Sequence, residues 1–223
     1  MKKYFVTATG TGVGKTLITA ALTHQLRKGG KKVITLKPVI SGFDGGDIAG
    51  SDTGILLQAQ GLPLSQTHID LISPWRFAAP LSADMAAKDE GKEIDFSSLV
   101  TFCKTQKDSD RLLIEGVGGV MSPLTQTHTV IDWMMALQFP VILVTGSYLG
   151  SISHTLTAYN IIVARKLKVV AVIISESEES PVSAERTKNT LQNFLPADIP
   201  ISVIARLDYS SNLWQTVPNL IIL

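Results

Sequence analysis

The chain has 223 residues, 45% of them hydrophobic, and its 20 Lys and Arg nearly balance 19 Asp and Glu, for a net charge of +1. That is enough chain for one sizeable core, and without a basic block or an interleaved aromatic run it offers no nucleic-acid surface. Cys103 is the one cysteine, which excludes an internal disulfide; it reads as buried filler in a reducing compartment.

The opening Met-Lys-Lys has the charge of a signal n-region, but "YFVTATGTG" breaks into Thr and Gly too early for an apolar core segment. No apolar run approaches the ~18 residues of a membrane span, so a cytoplasmic protein without membrane contact is expected. "KYFVTA" reads as a strand and "KTLITAALTHQLRKGG" as a helix with glycines at its end. "KKVITLKPV" is a second strand, followed by a Gly/Asp-rich loop and the helix "TGILLQAQ", which Asp52 is placed to cap. Residues 67–77 show no clear period and read as extended. "SADMAAKDEG" and "FSSLVTFCKTQ" read as helices. "RLLIEG", "PVILVTG" and "KVVAVIIS" are near-continuous apolar strands of the kind buried on both faces. The helices "SISHTLTAYNIIVARKL" and "SAERTKNTLQNFL" follow, then a last strand, "ISVIA". The closing "NLIIL" suits an edge strand or a packed tail. This alternation predicts an α/β chain with three layers, α/β/α, around a mostly parallel sheet. No repeat or composition shift marks a linker, so residues 1–223 are expected to form one domain.

Ligands of such sheets bind beyond the carboxyl ends of the strands. There the chain gathers Thr9 to Thr16, then Lys37 and Ser41, then Glu115 with Gly116, Gly118 and Gly119, then Thr145 to Ser147, and Ser175. The stretch from Ala8 to Thr16 has the strand, glycine-rich turn and helix start of a phosphate-binding loop, and so predicts a P-loop NTPase-like fold. Its backbone N–H groups would point at phosphate, Lys15 would reach the β and γ phosphates, and the Thr16 hydroxyl would bind Mg²⁺. Glu115 reads either as a strand-end carboxylate or as a metal ligand, and Asp52 either as a helix cap or as a second ligand. Lys37 ends a buried strand beside this loop, as a phosphate partner or in a structural ion pair. Two lysines and Mg²⁺ around a γ phosphate suit phosphoryl transfer. His24, His68, His128 and His154 are scattered without metal-ligand spacing.

"YFVTATGTGVGKT", "LKPVISG", "SD" at 51–52, "IEGVGGVMSPL", "DW" at 132–133 and "PVILVTGSYLGSISHTL" together resemble the dethiobiotin synthetase family over residues 3–175. The resemblance implies a reaction in which CO₂ (or bicarbonate) joins 7,8-diaminononanoate (7,8-diaminopelargonate), with ATP and Mg²⁺, to close the ureido ring of dethiobiotin. It implies that Lys15 and Lys37 hold the transferring phosphoryl group, and that Thr16, Asp52 and Glu115 organise Mg²⁺. Gly12, Val13, Gly14, Leu17 and Ser175 would contact the nucleotide. Thr11 and Ser41 would meet the diamine or its carbamate, with Gly118 and Gly119 allowing close approach. The family's homodimer implies that Leu149, Gly150 and Ser153 of a partner chain receive the substrate carboxylate at a helix N-terminus.

The chain also departs from the family pattern. Ala8 replaces the loop's first glycine, Gly10 an aspartate, Gly12 a frequent glutamate, and Ser153 a frequent asparagine. Ser175 replaces an asparagine that reads the adenine edge, and one hydroxyl cannot match an amide's paired donor and acceptor. "VIARL" lacks the family's Ile-Pro-x-Leu. Retained chemistry with loose base selectivity is therefore expected. Two other readings stay open: a P-loop ATPase switch of the partition or site-placement type, and a nucleotide-binding paralogue without catalysis. Against the switch, Gly10 stands where a second loop lysine would be.

Overall fold

The computed structural model describes residues 1–207 and 212–220. In chain order the elements are β1 (Lys2–Ala8), α1 (Lys15–Lys28), β2 (Val33–Leu36), β3 (Val39–Ile40), α2 (Asp52–Gln60), α3 (Gln66–Ile72), β4 (Trp75–Arg76), α4 (Ala83–Asp89) and α5 (Phe96–Lys104). They continue with β5 (Arg111–Glu115), α6 (Val130–Leu137), β6 (Val141–Thr145), α7 (Ser151–Ala164), β7 (Val169–Ser175), α8 (Ala184–Gln192) and β8 (Ile201–Ile204).

Six strands form one sheet in the order β2-β5-β1-β6-β7-β8, and every neighbouring pair is parallel. Its inner strands carry apolar side chains on both faces: Phe5, Val6, Leu112 to Ile114 and Val141 to Val144 are fully buried. That is what a sheet sandwiched between helices requires. Helix α1 packs on β1, β2 and β5 with α2 beside it, while α7 lies on β6 and β7 and α8 on β7 and β8. Trp133 of α6 meets the Phe5 ring edge to face at 4.9 Å. From β1 the chain winds outward to β2, returns through β5, then crosses to β6 and on to β8. The winding direction reverses at β1, which opens a crevice at the carboxyl end of that strand. No helix among the described residues is long and apolar enough to cross a membrane.

The structure corrects four local expectations. Strand β2 ends at Leu36, because Pro38 cannot donate to a ladder; Val39 and Ile40 pair instead with Trp75 and Arg76 in a separate two-stranded sheet. Of residues 67–77, expected to be extended, only Trp75 and Arg76 form a strand; those up to Ile72 belong to the helix α3, which Ser65 caps by accepting from His68 N–H. Helix α6 was not foreseen; Thr129 and Asp132 form a capping box at its start. The cap of α2 is Ser51, whose hydroxyl accepts from Gly54 N–H, so Asp52 is left free to face the site.

Two glutamine side chains stand in for backbone. Gln60, in α2, gives its amide oxygen to Thr35 N–H (2.8 Å) and its amide N–H to the Thr35 carbonyl (3.0 Å), covering the outer edge of β2. Gln25, in α1, bonds the backbone of Val217, Pro218 and Leu220, so the tail is packed down as far as Leu220. Ile221 to Leu223, the rest of the apolar tail, lie outside the described residues.

Candidate active site

The loop after β1 is shaped by two glycines. Gly12 (φ 76°) and Gly14 (φ 86°) are left-handed, a conformation that costs a residue with a Cβ. Gly14 is the N-cap of α1, which has no side-chain cap and no acidic residue in its first turn. Its first N–H groups are thus left for an anion. Ala8 ends β1, paired with Val144 in strand conformation. The loop's left-handed turns lie further on, so a methyl group at position 8 is accommodated.

Below the loop four charged side chains converge. Lys37, 2% exposed, donates to Glu115 Oε1 at 2.7 Å and pairs with Asp52 Oδ2 at 2.9 Å. Its third contact is the Gly116 carbonyl at 3.0 Å. The Thr16 hydroxyl lies 2.7 Å from Asp52 Oδ1 and 2.8 Å from Glu115 Oε1. Lys15 donates to the Gly118 carbonyl at 3.1 Å. Burial opposes the charge of Lys37, but Asp52 and Glu115 overcome it and hold this ammonium above the ordinary lysine range. Among the described residues Lys15 has no carboxylate in contact; burial, then the charge of Lys37, pulls it down to about 8. Burial also works against the Asp52 carboxylate, yet Lys37 and Thr16 keep it below its usual range. Lys37 therefore makes a structural ion pair and also lies beside the phosphate loop.

Two cavities meet at this loop, and Thr11, Gly12, Gly14 and Leu17 line both. One, of about 840 Å³, holds Lys15, Thr16, Lys37, Ser41, Asp52 and Gly118. The other, of about 930 Å³, holds Val13, Ser175, Tyr148, Glu176 and Arg206. Glu115 lies beneath the first, fully buried, and its Oε2 has no hydrogen-bond partner among the described residues. Gly119 is turned away: its N–H donates to Ser122 Oγ at 2.6 Å, and a Cβ there would press on the Thr9 carbonyl at 3.1 Å. Leu149, Gly150 and Ser153 line neither cavity. Leu149 is 87% exposed, and Gly150 (φ 96°) is the N-cap of α7, with Ser153 exposed on its first turn.

The chain is similar at 44% identity to the ATP-dependent dethiobiotin synthetase BioD of Acidiphilium cryptum, over 90% of this chain and 91% of that protein. It is 42% identical to that of Methylobacterium nodulans, over 92% and 94% of the two chains. A family model described as an AAA domain matches residues 2–216. The chain belongs to the ATP-dependent dethiobiotin synthetases. Solved structures add the fold alone. The MinC:MinD complex of Aquifex aeolicus matches with a TM-score of 0.55 and 15% identity, over 96% of this chain and 86% of that one. A ParA family ATPase from Chlorobium tepidum matches at 0.55 and 14%, over 93% and 86%. Both fit the expected P-loop NTPase-like fold.

For a dethiobiotin synthetase, several contacts were not read from sequence. The Gly116 and Gly118 carbonyls hold the two lysines, and Ser122 pins the turn between them. Ser122 stands in the quoted "VMSPL", so its signal was present. Pro80, Leu81 and Ser82 wall the first cavity from a segment that carries no motif. The four histidines stay out of both cavities; His24 packs on Trp214 and His128 stacks on Phe96.

Proposed function

We propose that this chain makes dethiobiotin from 7,8-diaminononanoate, CO₂ and ATP, with the first cavity holding the diamine and the transferring phosphoryl group and the second holding the nucleoside. One amine adds to CO₂ and loses a proton, giving a carbamate. A carbamate oxygen attacks the γ phosphorus, the bond to ADP breaks, and a carbamic–phosphoric anhydride forms. The other amine then attacks the carbonyl carbon and expels phosphate as the ring closes. Thr11 and Ser41 orient the carbamate by hydrogen bonds, and Gly118 lets that end lie close to the backbone. Lys15 and Lys37 neutralise charge that spreads over the phosphoryl oxygens in the transition state.

Thr16, Asp52 and Glu115 suit Mg²⁺: their donors are hard oxygens, and the buried Glu115 Oε2 lacks a partner that a cation would supply. Bound there, Mg²⁺ would offset charge on the nucleotide's phosphates. A homodimer completes the site, with Leu149, Gly150 and Ser153 of the partner chain taking the substrate carboxylate at the start of its α7. The lone buried thiol suits a cytoplasmic setting.

The observation that carries this reading is the buried Lys37, fixed between Asp52 and Glu115 at the floor of the phosphate-loop cavity. ADP release measured with and without diamine and bicarbonate tests it. Release that needs both is expected. Release without them would mark a hydrolytic switch, and none under any condition a binding module.

A further inference from the structure

Three oxygens surround the Lys37 ammonium: it donates to Glu115 Oε1 (2.7 Å) and the Gly116 carbonyl (3.0 Å) and pairs with Asp52 Oδ2 (2.9 Å). Its charge is thus committed to the two carboxylates rather than to a phosphoryl oxygen. On the other side, Thr16 brings one hydroxyl proton to two carboxylate oxygens, Asp52 Oδ1 at 2.7 Å and Glu115 Oε1 at 2.8 Å. One of those contacts therefore sets oxygen against oxygen with no proton between. Each carboxylate thus has one oxygen paired with Lys37, the cation that holds both, and among the described residues Glu115 Oε2 has no partner.

Two lysines and two carboxylates also balance in charge. A divalent ion entering alone would have to displace the ammonium and leave a buried net charge of +2, in surroundings where charges interact far more strongly than in water. An ion arriving on a triphosphate brings its own counter-charge, and the freed ammonium then has an anion to turn to.

We infer that Lys37 occupies the divalent-cation site of the nucleotide-free protein, excludes the bare metal from it, and is released toward the phosphoryl group only when nucleotide-borne metal takes Asp52 and Glu115. This rests on the metal reading of Thr16, Asp52 and Glu115. The same contacts that fill the site thus time the arrival of the catalytic charge.

Mn²⁺, whose free ion gives a paramagnetic resonance signal, tests this without any turnover. In nucleotide-free protein, Lys37→Met should bind one Mn²⁺ per chain at least tenfold more tightly than the wild type. Lys15→Met removes the same charge but frees no carboxylate, and should gain severalfold less. Equal gains in the two variants would reduce the effect to net charge and overturn the inference. So would a wild-type chain that binds Mn²⁺ alone as tightly as Lys37→Met. If Lys37→Met does not fold, the wild type decides by itself. Uptake that begins only on adding a non-hydrolysable triphosphate supports the inference, and tight uptake without it overturns it. Because no diamine is present, the result is separate from the test of the synthetase reaction.

Discussion

Lys15 and Lys37 line one cavity, yet their surroundings treat their protons in opposite ways. Lys37 is held charged by two carboxylates, while Lys15, pulled down to about 8, awaits an anion. Lys37→Gln should lower kcat by roughly a hundredfold or more and shift KM far less, because its charge matters most as the phosphoryl group departs. Equal losses in kcat and in substrate affinity would place it in ground-state binding. Lys15→Gln should damage both. At the nucleoside end, Ser175 offers one hydroxyl, so turnover with ATP, GTP and CTP should agree within about tenfold, the scale of one or two ordinary hydrogen bonds. A strong ATP preference would show that other groups of the second cavity read the base. Burial pushes the Cys103 thiol up to about 12 from its ordinary 9.0. The unfolded chain therefore releases this proton first, and stability falls as pH rises from 9 toward 12, with no contribution from this group below 9. Cys103→Ala should flatten that alkaline slope in urea unfolding, and the native thiol should resist alkylation at pH 8. The lysines, Thr16 and the carboxylates were legible because the phosphate loop and the strand ends announce them. The carbonyls that orient the lysines were not, since any residue type can supply a carbonyl.

At the scale of elements, helix α2 decides where Asp52 points. Ser51 ties the first turn through Gly54 N–H and also donates to the Ile48 carbonyl at 2.7 Å. Gly54 is buried, and a Cβ there would run into that same carbonyl and crowd Ala49. Ser51→Ala should cost about 1 kcal/mol, the worth of a cap. Gly54→Ala should cost about 1–3 kcal/mol by overpacking and also weaken nucleotide binding, because Asp52 moves with the turn. Chemical denaturation with nucleotide titration would separate these effects; an unchanged Gly54→Ala protein would mean the 44–50 loop gives way freely. The strands were readable as apolar runs that need cover on both faces. Helices α3 and α6 were not. Helix α3 is seven residues long and shows too little of a helical period, so its only sign is Ser65. Helix α6 did carry a sign, Thr129 followed three residues later by Asp132, but its apolar residues crowd most of its surface and blur the amphipathic pattern.

At the scale of the molecule, the proposed site needs two chains, since Gly150 and Ser153 stand away from this chain's own cavities. Ser153 is exposed, so Ser153→Glu should fold normally and repel the substrate carboxylate. Mixing inactive Lys37→Gln and Ser153→Glu chains with exchange should restore about a quarter of the wild-type sites: half the dimers are mixed, and half of their sites are intact. No recovery despite exchange would place the whole site within one chain.

The Gln60 amide on strand β2 also bears on how copies meet. A parallel sheet of this kind ends in a rim of unspent peptide groups, open to any stray extended segment. Here Thr35, midway along that rim, is already bonded from within. Sheet extension is thereby opposed at Thr35, which agrees with the proposed pairing of two copies at α7 and its neighbouring turn rather than edge to edge.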